Sequence, residues 1–309
     1  MKKCCLVVLM LSAVAGMAMP IASSARALVP SEIQQLIGVD YRSLKDSPTA
    51  QKLKDQVLPQ DLKDFEASLK GVGIDTENDV DQLNFISFRT PKVGIQTVCV
   101  AQGSFSAKAV LKKLKLKKIS ATKYGTTLVY PMSNGYVMTF LDDNTLAFGM
   151  EASLHSALDT RDGKRESLDS NPTMANQMSA VDAAPVWSIL DQQGTQAMVH
   201  SFLGDAAKIA DYESVKKRIL ASRYSMSFQN GIAFDLNVQT SDSMTAGTLS
   251  SVAKAGILFK KMNATSAEKA AFDAASVDSD GSNLQMHFKS DDQKFQALMQ
   301  TPLFAAISH

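Results

Sequence analysis

The chain has 309 residues, with 45% hydrophobic, 20% charged and 7% aromatic content, which suits one large or two medium domains around a real core. Thirty-two basic against 31 acidic residues leave a formal charge of +1, so no whole-chain attraction to nucleic acid or to an anionic surface follows. Three cysteines cannot build a disulfide framework, and the apolar content excludes a disordered or collagen-like chain.

The first element is an export signal. Lys2 and Lys3 precede an almost uninterrupted apolar run over residues 4–22, and Ala25-Arg26-Ala27 is a small-x-small cleavage site; together they read as a Sec-type signal peptide over residues 1–27. Cleavage near Ala27 would leave Leu28 as the N-terminus of a periplasmic or secreted protein. The alternative is a retained N-terminal anchor, although Gly16 and Pro20 interrupt the run. No lipobox precedes Cys4 and Cys5. No transmembrane segment is expected beyond the leader, and Cys99, the one thiol left, reads as a small buried hydrophobe with no disulfide partner.

The first half, residues 28–163, opens with a strand over 34–41. Helices follow, one starting at Ser47-Pro48 with Leu53 and Val57 on one face, the next carrying Leu62, Phe65 and Leu69 and stopped by Gly71 and Gly73. Strands over 83–89 and 93–101 join through Thr90-Pro91-Lys92; the second is apolar on both faces and predicts a covered central strand. A helix over 106–116, short strands over 119–148 with an Asn134-Gly135 hairpin signal, and a helix over 152–158 complete this half.

A connecting helix or linker spans 164–184, where Met174 and Met178 stand at helical spacing. The second half, residues 185–309, has a strand over 186–190, helical pattern over 195–220, and a hairpin of 222–228 with 232–240 across Gln229-Asn230-Gly231. Helices over 243–262 and 267–274, a strand over 283–289 and a helix over 292–306 finish it. Strand, helix, strand, strand, helix, strand therefore occurs twice. The expected fold is α+β: two ferredoxin-like βαββαβ halves from an internal duplication, the first elaborated with extra hairpin strands.

Alternation in the second half defines one surface. Tyr224, Met226, Phe228, Phe234, Leu236, Val238, Leu284, Met286 and Phe288 point one way. Arg223, Ser225, Ser227, Asp235, Asn237, Gln239, Gln285, His287 and Lys289 point the other, as an open polar sheet face. A second candidate surface is the run Lys108, Lys112, Lys113, Lys115, Lys117 and Lys118, with Lys123 beyond it. Such a cluster can hold an anion, but it also suits the solvated side of a helix packed through Val110, Leu111 and Leu114. It lacks the interleaved aromatics and arginines that nucleic acid binding favours.

Gly73-Ile74-Asp75, Asn78-Asp79-Val80-Asp81-Gln82-Leu83, Ala101-Gln102-Gly103-Ser104-Phe105, Tyr130-Pro131-Met132, Phe140-Leu141-Asp142-Asp143, Val186-Trp187-Ser188-Ile189-Leu190-Asp191 and Ser241-Asp242-Ser243-Met244 carry a resemblance. The chain resembles a family of exported bacterial proteins, well represented in acidobacteria, that has no assigned activity. The resemblance spans the chain beyond the leader, implies export and supplies no functional residues.

Motifs for catalysis are sparse. Gly-x-Ser-x-Gly is absent, and Ser-x-x-Lys recurs at about chance frequency without its companion motifs. His155, His200, His287 and His309 are scattered. The acidic runs 75–81 and 278–283 lack the glycine and terminal glutamate of an EF-hand and read as capped turns. No metal and no cofactor are expected. The function expected is an exported binding or assembly module with no evident catalytic centre, whose partner is an envelope protein, a glycan or a lipid and not nucleic acid. One alternative is a hydrolase assembling Ser225, Asp235 and His287; another is a carrier of an apolar ligand between sheet and helices.

Overall fold

The computed structural model describes residues 20–57, 60–90, 93–203, 212–229 and 231–308. The expected leader therefore lies outside the described residues over 1–19, as do Pro91, Lys92, Asn230, His309 and the segment 204–211.

In chain order the first half holds α1 (Ser23–Arg26), β1 (Ile33–Asp40), α2 (Tyr41–Leu44), α3 (Pro48–Val57), α4 (Gln60–Val72), α5 (Thr76–Asp79), β2 (Val80–Thr90), β3 (Gly94–Gly103) and α6 (Ala107–Leu116). It continues through β4 (Thr122–Tyr124), β5 (Thr127–Pro131), β6 (Tyr136–Asp142), β7 (Thr145–Met150) and α7 (Glu151–Arg161), and α8 (Pro172–Ser179) leads out of it. The second half holds β8 (Val186–Leu190), α9 (Gln192–Leu203), α10 (Tyr212–Lys216), β9 (Ile219–Ser227), β10 (Ile232–Thr240), α11 (Ser243–Met262), α12 (Ser266–Asp273), β11 (Ala275–Asp280), β12 (Asn283–Ser290), α13 (Asp292–Met299) and α14 (Pro302–Ser308).

Local chemistry accounts for many of these boundaries. Asn134 and Gly135 both take positive φ, the conformation of a type I′ hairpin turn, between β5 and β6. Asn171 caps α8 through Met174 N at 3.2 Å, with Pro172 at the first helical position. Thr265 and Glu268 form a capping box on α12. Thr301-Pro302 divides the expected helix over 292–306 into α13 and α14, because Pro302 has no amide to donate to the helical ladder.

Asp242 caps α11. Its carboxylate accepts from Thr245 N and from the Ser241 hydroxyl, each at 2.8 Å, and these bonds hold its pKa down to about 2. A carboxyl depressed by folding stabilises the fold above its ordinary range, and that contribution is lost as pH falls from about 4 toward 2. Asp242→Ala is therefore expected to lower the melting temperature at pH 7 and to change it little near pH 2. An equal loss at both would disprove a charged cap.

The twelve strands among the described residues lie in one sheet of order β11-β12-β10-β9-β8-β1-β2-β3-β7-β6-β5-β4, antiparallel throughout. The halves join where β1 pairs with β8, Gly38 opposite Trp187. Each half runs strand, helices, hairpin and helix, and then four antiparallel strands, β4 to β7, in the first half and the β11–β12 hairpin in the second. The expected ferredoxin-like placement puts a later strand between the first two, whereas here β1 lies directly beside β2 and β8 beside β9. The physical reason is the connection: the chain leaves β1, passes through α2 to α5 and re-enters at the end it left, so that β2 pairs antiparallel. A split βαβ does occur later in each half. β3 and β6 are parallel around β7 across α6, and β10 and β11 are parallel around β12 across α11. β11 is a strand that the sequence pattern missed, since 278–283 reads as a turn; the turn is Gly281, at the tip of the β11–β12 hairpin.

Helices cover both faces of the sheet. Cys99, Ala101, Leu146 and Phe148 meet Val110 and Leu114 of α6 and Leu69 and Val72 of α4 on one side; Val98 and Val100 meet Leu154 and Leu158 of α7 on the other. β3 is thus covered on both faces from Val98 onward, as its composition predicts, but Val93 and Ile95 near its start are 65% and 58% exposed. In the second half α9, α11 and α13 cover the apolar face. Cys99 is buried and free, and burial pushes its thiol pKa up, away from reactivity.

Residues 20–27, assigned by sequence to the leader, are built into this core. α1 packs on β6 and β7, Ile21 and Ala25 belong to the cluster that contains Trp187, and Leu28 and Val29 are fully buried beside them.

Candidate functional site

The polar face predicted from alternation exists, and the strand registers give it an order. Across β9, β10, β12 and β11, Ser225 stands opposite Asp235, Asp235 opposite His287, and His287 opposite Ser276. His287 Nδ1 and Asp235 Oδ1 are 2.5 Å apart, with the side chains 54% and 57% exposed. The next row is Arg223, Asn237, Gln285 and Asp278. Ser227 and Lys289 flank Ala233 one row beyond Asp235 and His287.

One edge of the face is fixed by α8. Arg223 Nη1 donates to Gln177 Oε1 at 2.6 Å, and Gln177 Nε2 donates to Gln239 Oε1 at 2.7 Å. Burial under this helix lowers the Arg223 pKa from its ordinary value. α8 covers β8 and β9, and Asp235, Ser276, His287 and Lys289 beyond it are exposed. Arg223 and Gln239 are therefore held by partners under α8, while Asp235 and His287 meet each other on the solvent side. Asn237 lies between the two groups, and its Oδ1 is buried with no hydrogen-bond partner. Such an acceptor costs free energy unless a ligand or water donates to it.

Ser225, Asp235 and His287 do share one row, but in an order that defeats a hydrolytic relay. The carboxylate lies between the hydroxyl and the imidazole, and two strand spacings, roughly 9.6 Å, separate Ser225 from His287. Proton transfer needs hydrogen-bond reach of about 3 Å. Ser276 is the hydroxyl beside His287, on the strand that sequence reasoning missed. β10 and β12 are interior strands whose amides are committed to ladders on both sides, so neither aims an oxyanion donor at the row.

The lysine cluster divides on α6. Lys108, Lys112, Lys115 and Lys118 are exposed, as the solvated-face reading expects. Lys117 Nζ donates to Gly71 O at 2.6 Å, and the Lys113 side chain lies against Gly73, so these two tie α6 to the end of α4.

One cluster escaped the sequence. Tyr124 of β4 stacks on His155 of α7, centroids 3.7 Å apart and planes 6° from parallel, and donates to Asp159 Oδ2 at 2.9 Å. Burial tends to raise the Asp159 pKa, but hydrogen bonds from Lys164 and Tyr124 outweigh it and hold the pKa below the ordinary range. The signal available was the four-residue spacing of His155 and Asp159 on one helix face; the partner strand was not readable. Among the described residues, no group of three or more His, Cys, Asp or Glu side chains could hold a metal. A surface concavity of about 580 Å³ is lined by Asp273, Lys289, Asp291 and Lys294 with Ala270 and Ala274, a charged rim unlike an apolar carrier site.

No protein-family model matches the chain, and no curated protein sequence matches it. Among solved structures, crystal form I of TP0453 aligns with a TM-score of 0.49 at 9% identity, covering 92% of this chain and 97% of that one. Crystal form III of TP0453 aligns with a TM-score of 0.49 at 9% identity, covering 89% and 96%. No helix among the described residues is long and apolar enough to cross a membrane.

Proposed function

We propose that this chain is an exported binding module of the bacterial periplasm or cell exterior, and that the polar face of β9, β10 and β12 receives a hydroxyl-rich ligand of the envelope-glycan type. The observation that carries the reading is the solvent-facing Asp235–His287 pair beside the unpartnered Asn237 Oδ1. Carboxylate, imidazole and amide on β10 and β12 supply both donors and acceptors for hydroxyl groups. The resemblance to exported bacterial proteins and the basic, apolar N-terminus support the location. We also read the two halves as copies of one permuted ferredoxin-like unit. The matching orders β2-β3-β7-β6 and β9-β10-β12-β11, each with its split βαβ, support this.

The test is binding of the purified chain to an array of bacterial envelope glycans, with the Asp235→Leu/Asn237→Leu double variant alongside. Leucine is compatible with a strand, so the variant should fold with an unchanged circular dichroism spectrum. Its affinity should fall at least tenfold, the scale expected for losing a charge-assisted hydrogen bond. Equal binding by variant and wild type, or no glycan binding by either, would overturn the reading.

A further inference from the structure

We infer that the mature protein begins at Met19, by cleavage after Gly16-Met17-Ala18, and that α1 is part of the folded protein and not of the leader. This rests on the export reading above. The step is hydrolysis of the Ala18–Met19 peptide bond by a signal peptidase. Water supplies the oxygen of the new Ala18 carboxylate and a proton to the new Met19 amine.

Small-x-small triplets end at Ala15, Ala18, Ser24, Ala25 and Ala27, and local pattern does not separate them; the last three cut inside or directly after α1, and Gly16-Met17-Ala18 is the last that leaves α1 whole. Since the peptidase meets the chain before it folds, what distinguishes the sites is the protein each leaves behind.

Cleavage after Ala27 removes Ile21 and Ala25, 8% and 0% exposed, from the largest core cluster, together with the half-buried Ala22 packed on it. It removes Arg26, whose Nε and Nη2 both donate to Asp169 Oδ1, at 3.1 and 2.6 Å, and anchor the loop before α8. It also creates a charged amine at Leu28. That residue is 0% exposed, and its amide donates to Ala25 O at 3.1 Å, an acceptor the same cut would take away. An ammonium in that position would have to be hydrated at the expense of the Leu28 and Val29 packing. The backbone beyond it is already fixed: Leu168 N donates to Val29 O at 2.9 Å, and Ser31 N donates to Glu166 O at 2.9 Å. Cleavage after Ala18 removes none of these groups, and Pro20, where the described residues begin, is exposed.

The experiment is expression of the full chain in a Sec-competent bacterial host, followed by intact mass and N-terminal sequencing of the periplasmic fraction. A chain beginning at Met19 is expected, and Ala18→Arg should abolish that product. A chain beginning at Gly16, Ala25, Arg26 or Leu28 would overturn this inference and leave export standing. Full-length protein confined to the cytoplasm would instead overturn the export reading, and the inference with it. In parallel, chains starting at Met19 and at Leu28 are produced without the leader. The Leu28 chain should melt roughly 10 °C lower; equal melting temperatures would refute a structural role for α1.

Discussion

Replacing Gly38 by valine should destabilise the protein by about 3 kcal/mol, and by alanine by about 2 kcal/mol. Gly38 is paired with Trp187 at the seam between the halves, and the indole lies across the space where a side chain would be. A Cβ at Gly38 would stand 2.3 Å from both Cε2 and Nε1 of Trp187. Trp187 cannot swing away, because it is 1% exposed and packed within the cluster that joins Ile33, Leu36, Ile86 and Phe88 to α7 and α8. Truncating the partner has the opposite defect: Trp187→Ala leaves a cavity costing roughly 4 kcal/mol. The two lesions should compensate in part, so Gly38→Val/Trp187→Ala is expected to cost clearly less than the sum of the singles. Urea denaturation followed by circular dichroism measures all four proteins. If Gly38→Ala unfolds within about 0.5 kcal/mol of wild type, a range usual for neutral surface changes, the seam is not close-packed there.

Asp191→Ala should cost about 2.5 kcal/mol, more than an ordinary helix cap, because two roles end together. Its carboxylate forms an ion pair with Arg89 of β2, Nη1 and Nη2 both donating, and its Oδ1 accepts from Gly194 N at 2.7 Å in the first turn of α9. One side chain thus caps a helix of the second half and pairs with a strand of the first, both partners less than one-third exposed. Asp191→Asn keeps the cap and discards the charge, so it should recover roughly 1 kcal/mol of the loss. Chemical denaturation of Asp191→Ala, Asp191→Asn and Arg89→Met separates the roles. Asn as damaging as Ala would show that the cap contributes nothing measurable.

Periodicity carried most of the secondary structure because the signals were local. Tyr224, Met226 and Phe228 alternate and face the helices; Ser243–Met262 was readable from end to end because Asp242 caps it and Asn263 ends it. What periodicity could not supply was pairing. β11 is short, acidic and at a sheet edge, and Ser276, Asp278, Ser279 and Asp280 give it no apolar alternation. The antiparallel pairing of β1 with β2 depends on the path of the chain through the four intervening helices, α2 to α5, a property of three dimensions. The polar face was legible residue by residue, whereas its order was not. That Asp235 separates Ser225 from His287 follows from β10 lying between β9 and β12 in the sheet, and that the three share a row follows from two registers, in either of which a one-residue slip would turn a side chain to the other face. Asn237 looked like any polar outward residue; its lack of a donor depends on neighbours from other segments.

The β1–β8 seam also bears on how the protein comes into being. Gln35 pairs with Leu190 and Val39 with Val186, partners separated by most of the first half and the whole α7–α8 segment. A chain emerging N-terminus first presents β1 long before β8 exists, and until then one edge of β1 has open amides and carbonyls with Leu36 beside them. Such distant pairing delays productive closure, and an unpaired edge invites association between nascent copies. The first half therefore has reason to remain unfolded, or held by a chaperone, until the second arrives. Completion of one ladder near the middle of the sheet is the event that converts two vulnerable edges into interior strands.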